Sequence, residues 1–444
     1  MESNMRRALP VLCLATVLPA CPAADPGPTL PAGSTCNGDV CVVTGPILAD
    51  ATFTADKKWV LQGGVFVGDD TDPTRAPTTL TIEPGTTVFG DTSALSFLLV
   101  TRGSRLLAAG TAERPIVFTS ANDPGSRSRG DWGGVILNGQ ATVNGCAGDP
   151  CTLQGEAGTG TYGGGNDDDD SGVLEFVRIE FPGKLIDAEN ELNGLALQGV
   201  GRGTTLENIQ VHLAADDCIE FFGGTVDAKR IVCTGAGDDN VDWTFGWRGR
   251  AQFVVVQQHA DAGERGIEAD NNEDNHTLTP TSSPTLSNLT LIGGGDPSGD
   301  VGIKLRRGTE AHIMNSVVAG WKKACLDLDD QATFDHATAG DIVIENSVFA
   351  CDTLAIVKDG TDGTPADPID VATFLRDAAG NEVATDVGLV DAFNVLAPKF
   401  APTSSSPANS LPTLPSDSFF EAVSFKGAVG ENDWTAGWTA FPAN

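Results

Sequence analysis

Along the middle of the chain, short apolar runs recur with polar residues between them. "NGLALQG" at 193–199 is followed by "DCIEFFGG" (217–224), "DNVDWTFG" (239–246), "RGIEADN" (265–271), "VGIKLRRG" (301–308) and "KACLDLDD" (323–330). With Leu195, Ile219, Val241, Ile267, Ile303 and Leu326 taken as equivalent, the steps are 24, 22, 26, 36 and 23 residues. A second column runs between them as "LENIQV", "DAKRIV", "AQFVVV", "LSNLTL", "IMNSVV" and "IENSVF". Each period therefore holds at least two short strands, and the turns between them are rich in Gly, Asn, Asp and Thr.

Short strands repeating in the low twenties of residues predict a solenoid whose coils stack and share one interior. The expected fold is all-β, a right-handed parallel β-helix with N-terminal and C-terminal caps. A propeller blade needs about 40 residues and four strands, and the leucine spacing of leucine-rich repeats is absent. The 36-residue step contains "NNEDNHTLTPTSSP", which reads as an insertion loop on one face. The expected organisation is a signal peptide at 1–20, an anchor and linker with a small cystine loop at 21–44, and an N-terminal cap at 45–78. The solenoid follows at 79–390, then a C-terminal linker and aromatic cap at 391–444. Phe420, Phe425, Trp434, Trp438 and Phe441 would seal the last coil, with a sugar platform as the other use of those rings. "AHIMNSVVAGWKKA" stays in the solenoid, and 373–386 is the best helix candidate.

The leader places Arg6 and Arg7 before an apolar run from Ala8 to Leu18, which is too short for a permanent membrane anchor. It ends in Leu18-Pro19-Ala20-Cys21, the form of a bacterial lipoprotein signal with Cys21 acylated. The expected location is the outer membrane or cell surface, with the bilayer as a partner through Cys21. The formal net charge of −33 makes a nucleic-acid partner unfavourable and leaves cations, neutral glycans or surface proteins. Eight further cysteines fall into four pairs: Cys36/Cys41, Cys146/Cys151, Cys218/Cys233 and Cys325/Cys351. An even count in an exported chain predicts disulfides. The last two pairs fall at equivalent repeat positions and would staple one coil to the next.

"LTIEPGTTVFG" (80–90), "GSRLLAAGTAERPIVFTS" (103–120), "GDWGGVILNG" (130–139), "GAGDDNVDWTFGWRG" and "NDWTAGWTAF" (432–441) together resemble a family of bacterial exported parallel β-helix proteins, often lipoproteins and generally described as hypothetical. The resemblance covers most of residues 45–444. It implies fold and export, and it carries no assigned reaction.

The residue after each anchor hydrophobe is Ala196, Glu220, Asp242, Glu268, Lys304 and Asp327. If the anchors point inward, these neighbours form an outward ladder about 5 Å apart per coil. Asp216, Asp217, Asp238, Asp239 and Asp270 lie close in sequence and are the candidate ligands for structural Ca2+, which takes six to eight oxygens. Simple exposure to solvent and counterions is the plainer alternative. "GGGNDDDDSG" and "GAGDDN" are further Asp-rich loops.

Two functions from different classes follow. The first is a calcium-stabilised surface module for binding, adhesion or structure. The second is a polysaccharide lyase or glycoside hydrolase on the 217–307 strip. There Glu220, Asp242 and Glu268 would supply a carboxylate pair, and Lys304 or Arg306 would supply a base. Arg307, Lys322 and Lys323 complete that basic patch. Trp243 and Trp247 fill the interior or stack on sugar. His212, His259, His276, His312 and His336 are scattered over different repeats, which gives zinc hydrolysis and serine chemistry no support.

Overall fold

The computed structural model describes residues 29–444 apart from 73, 147, 149, 188–189, 295–300, 362–363 and 411–414. The signal peptide and Cys21 lie outside the described residues.

The expected parallel β-helix is present: a single 26-stranded sheet winds through coils whose strands pair in parallel with the coils above and below. Each coil has three faces. The first carries four- or five-residue strands such as Leu195–Gln198, Ile219–Phe222, Val241–Thr244, Arg265–Ala269, Val301–Leu305 and Ala324–Leu328. The second and third faces are the two halves of longer strands, among them Thr205–His212, Ala228–Thr234, Arg250–Gln257 and Thr285–Ile292. Period-two alternation sends Leu195, Ile219, Val241, Ile267, Ile303 and Leu326 into the interior. Those six pair in one continuous row, as the repeat predicts. Their neighbours two residues on, including Phe221 and Trp243, fill the same interior.

The longer strands bend at one residue held in the left-handed region. The bends stack as Phe176, Asn208, Arg230, Phe253, Asn288, Asn315 and Asn346, with φ between 49° and 61°. Asparagine tolerates this conformation well, whereas bulky side chains do so at a cost. Four of the seven bends are asparagine, and they knit neighbouring coils together: Asn346 Nδ2 donates to Asn315 Oδ1 at 2.6 Å. The exceptions, Phe176, Arg230 and Phe253, sit close together.

All four expected disulfides form. Cys218–Cys233 and Cys325–Cys351 do not staple adjacent coils, however. Each joins the start of a first-face strand to the end of the same coil's third-face strand, closing one turn on itself. Replacing Cys325 and Cys351 by serine is expected to cost about 3 kcal/mol, because the bridge closes a 26-residue separation. An unchanged guanidinium midpoint in the double variant would contradict that.

The ends differ from the expected caps. Residues 45–78 already belong to the coils: Val40–Ile47 pairs in parallel with Lys58–Val67, which pairs with the next rungs. The N-terminal edge is covered instead by Thr35–Asn37, antiparallel to Val40–Val42 and tied by Cys36–Cys41. At the other end, helices α1 (Gln331–Ala339) and α2 (Val371–Asp377) put Phe334, Ala337, Val371 and Leu375 into the core. The aromatic tail seals no coil. Together with residues from 387 onward it runs along the outside of the third face, where Ala428, Val429 and Trp438 pack on Val232, Val255, Ile292 and Val317. Long polar side chains of the coils hold its backbone. Gln210 exchanges two hydrogen bonds with Ala440 at 2.7 and 2.9 Å, and Gln252 two with Glu421 at 2.9 and 2.7 Å.

Candidate functional site

The outward column of the first face changes character along the solenoid. Paired residue to residue it reads Phe66, Leu99, Ile136, Ala196, Glu220, Asp242, Glu268, Lys304, Asp327. Its apolar half is roofed by the insertion after Asn138. Val143, Cys151 and Tyr162, with Leu192, form one apolar cluster with Phe97, Leu99, Ile136 and Ala196. The roof extends towards the 271–285 insertion, where Asn144 Nδ2 donates to Asn271 Oδ1 at 2.8 Å and to the Pro280 carbonyl at 2.9 Å. The acidic half is therefore no flat, solvated ladder. Glu220 is 9 % exposed, Glu268 7 % and Asp327 4 %.

The turns entering the first face add two more acidic rows. Asp217, Asp239 and Arg265 occupy one position in successive coils, and Asp216, Asp238 and Glu264 the position before it. The hairpin Lys184–Asp187 and Asn190–Leu192 brings Glu191 to the same place. Carboxylate oxygens lie within 4.8 Å of one another in four overlapping groups: Glu191–Asp216–Asp238, Asp217–Asp238–Asp239, Asp217–Glu220–Asp242 and Asp239–Asp242–Glu268.

Compensation is uneven. Arg265 Nη1 meets Asp239 at 3.1 Å and Glu268 at 2.7 Å, and Arg306 bonds Glu268 at 2.5 Å and Asp270 at 2.8 Å. Arg307 adds a 2.8 Å pair to Asp270. Among the described residues, no ion pair reaches Asp216, Asp217, Glu220 or Asp242. Glu220 accepts from Asn193 Nδ2 at 2.6 Å, and Asp217 from the Asp239 amide at 2.9 Å. Asp239 Oδ1 and Asp242 Oδ1 are buried without a hydrogen-bond partner.

The titration of the strip follows from this geometry. Burial raises Asp216 to about 8, with Glu191 and Asp238 adding repulsion. Burial raises Glu156 to about 7 and Asp238 to about 6. Asp217, Glu220, Asp239 and Asp242 are pushed well above the usual carboxylate range, by burial first and by neighbouring carboxylates next.

Several expected site residues change role. Asp270 stands in none of the four groups and is bound by Arg306 and Arg307. Lys304 is engaged by Asp327 at 2.8 Å and Asp329 at 3.5 Å, and Arg306 by two carboxylates, so neither stands as a ready base. Trp243 and Trp247 are fully buried and offer no face to a sugar. Trp247 stacks on Phe221 at 3.9 Å and Trp243 Nε1 donates to Thr309 Oγ1. In "GGGNDDDDSG", Asp167, Asp168 and Asp170 pair with Arg248, Arg202 and Arg105. Sequence reasoning missed Glu191, Glu156, Arg265 and Asn193. Asn193, one repeat before Asp217, and Arg265, one repeat after Asp239, carried a signal through their repeat position, whereas Glu191 and Glu156 carried none.

No curated protein and no solved structure shows significant similarity to the chain. A family model described as "Pectate-lyase like beta helix domain" matches residues 45–439, nearly the whole solenoid and its tail. The chain belongs to that family of pectate-lyase-like β-helix domains.

Proposed function

We propose that the protein is an exported, calcium-stabilised binding or structural module whose cation is held by the acidic strip of the first face. The carrying observation is a cluster of carboxylates, Asp216, Asp217, Glu220 and Asp242, that no cationic side chain reaches among the described residues, with Asp242 Oδ1 buried and without a hydrogen-bond partner. A buried ionised carboxylate costs several kcal/mol unless it is paired, protonated or ligated. An all-oxygen donor set favours a hard cation. Ligands around calcium at about 2.4 Å cannot lie more than about 5 Å apart, which agrees with the observed groups. The Asp217–Glu220–Asp242 triad is the centre of the proposed site, with Asp239 beside it. Four disulfides agree with an oxidising location, and a lipid anchor at Cys21 would place the module at the cell surface.

The family description is also compatible with a polysaccharide lyase. The binding reading is preferred because Lys304 and Arg306 are already committed to carboxylates. Calorimetric titration of chelator-treated protein with Ca2+ tests the proposal. Saturable binding is expected, weaker for Mg2+, which tolerates only near-octahedral geometry. Glu220→Gln should weaken calcium binding about tenfold or more, the loss of one charged ligand. No saturable heat at millimolar calcium would refute it.

A further inference from the structure

Away from the acidic strip, the aromatic tail and the bend column border two adjoining open clefts of about 770 and 570 Å³, the smaller one shallow. They share Arg230, Glu421 and Trp434. We infer that this double cleft is a second binding site, for an uncharged oligosaccharide. The inference goes beyond the cation reading and does not rest on it.

Three observations lead there. The first is volume. The larger cleft alone falls within the range of ligand pockets, about 300–1,000 Å³. The solenoid interior, in contrast, leaves a gap of only about 10 Å³ around Trp247. The second is strain. The bends that line the clefts are Phe176, Asn208, Arg230 and Phe253, three of them bulky, whereas Asn288, Asn315 and Asn346 occupy the same position in later coils. Left-handed backbone at a bulky residue is unfavourable and concentrates at functional sites.

The third is chemistry. Trp434 is half-buried, and its indole N–H is satisfied by the Ala428 carbonyl at 2.8 Å, which fixes the ring at the junction of the two clefts. Arg230 lies over the Phe253 ring at 5.3 Å and is held between Glu207 and Glu421. The half-buried indole of Trp434 beside the oriented guanidinium and carboxylates suits the apolar face and hydroxyl edge of a pyranose, while Phe253 lies buried beneath Arg230. Charge selects among sugars. Arg230 is paired with Glu207 and Glu421, and Glu175, Glu431 and Asp433 also line the clefts, so a polyanionic chain is repelled and a neutral one is not.

The test uses β-glucan, xylan and mannan hexasaccharides as neutral probes and oligogalacturonate as the charged one. Each is titrated into the full chain while tryptophan fluorescence and heat are followed. At least one neutral probe should bind. Trp434→Ala should weaken it about tenfold, the scale of one lost aromatic platform. Because Trp434 also packs within the tail, Asn432→Ala serves as an exposed second variant with the same expected direction. Failure of all three neutral probes to bind would overturn the inference. So would equal binding by the wild type and both cleft variants, or tighter binding of oligogalacturonate.

Discussion

Trp247→Ala is expected to destabilise the solenoid by about 4 kcal/mol, near the middle of the range for removing a buried tryptophan. Trp247 is fully buried and stacks on Phe221 at 3.9 Å with the rings 13° from parallel. Its Nε1 donates to the Val226 carbonyl at 3.1 Å, which the variant leaves without that donor. The ring also borders the small interior gap, so the surrounding Ile219, Val254, Ile267 and Leu289 already fall short of filling the space. They have little reach left to collapse into the new cavity. In a stacked repeat each coil is stabilised by its neighbours, and the loss should appear as early local opening around residues 219–269 as well as a lower midpoint. Hydrogen exchange and guanidinium denaturation read both. A loss below about 1 kcal/mol would mean that the ring is not the core element described. Trp247→Phe should recover part of the loss, because it keeps the stack and forfeits only the hydrogen bond and some volume.

Asp217→Asn is expected to act in opposite directions with and without calcium. Asp217 belongs to two of the carboxylate groups, and asparagine keeps an oxygen to accept from the Asp239 amide. In metal-free protein the substitution removes a buried charge pushed well above its ordinary range by burial and neighbouring acids. The variant should therefore be more stable than the parent in chelator near neutral pH. With calcium in excess the order should reverse, since the parent gains about 2.7 kcal/mol at a hundredfold excess over its Kd and the variant gains much less.

The pH dependence follows with its sign. Asp216 at about 8, Glu156 at about 7 and Asp238 at about 6 lie above their ordinary values of 3.8 and 4.5. Between the ordinary and the raised values the folded state binds more protons than the unfolded one, so metal-free stability falls as pH rises through about 6 to 8. His212, buried and lowered from 6.5 to about 4, works in the other direction only below 6.5. The upper half of the window therefore belongs to the carboxylates. Calcium replaces the protons and should flatten the slope. A metal-free melting temperature that rises from pH 6.5 to 8 would contradict the account.

The fold was legible because a solenoid imposes the same demand at every coil. An inward side chain must be apolar wherever it falls, so Leu195, Ile219, Val241, Ile267, Ile303 and Leu326 announce their register. The same period placed Glu220, Asp242 and Glu268 in one row. Burial of that row was not legible, because its roof comes from irregular insertions around Tyr162 and Asn144 whose docking is not periodic. Glu191 reaches the cluster from a hairpin outside the repeat for the same reason. The tail was misplaced on chemistry alone. Trp434 and Trp438 carry the composition of a cap, but what seats the tail is the pairing of its backbone with Gln210, Gln252 and Asn288. Those bonds use main-chain groups that every residue has, and they leave no mark in the sequence. Helix α1 was missed because its nine residues carry weak amphipathy and no side-chain cap.

The most direct measurement is anomalous scattering from crystals of the chain beginning at Cys21, grown with calcium. The account predicts an anomalous peak ligated by Asp217, Glu220 and Asp242, with Asp239 or Asp238 completing the oxygen shell. Calcium confined to other loops, or a strip whose carboxylates are bridged by protons with no peak among them, would contradict it.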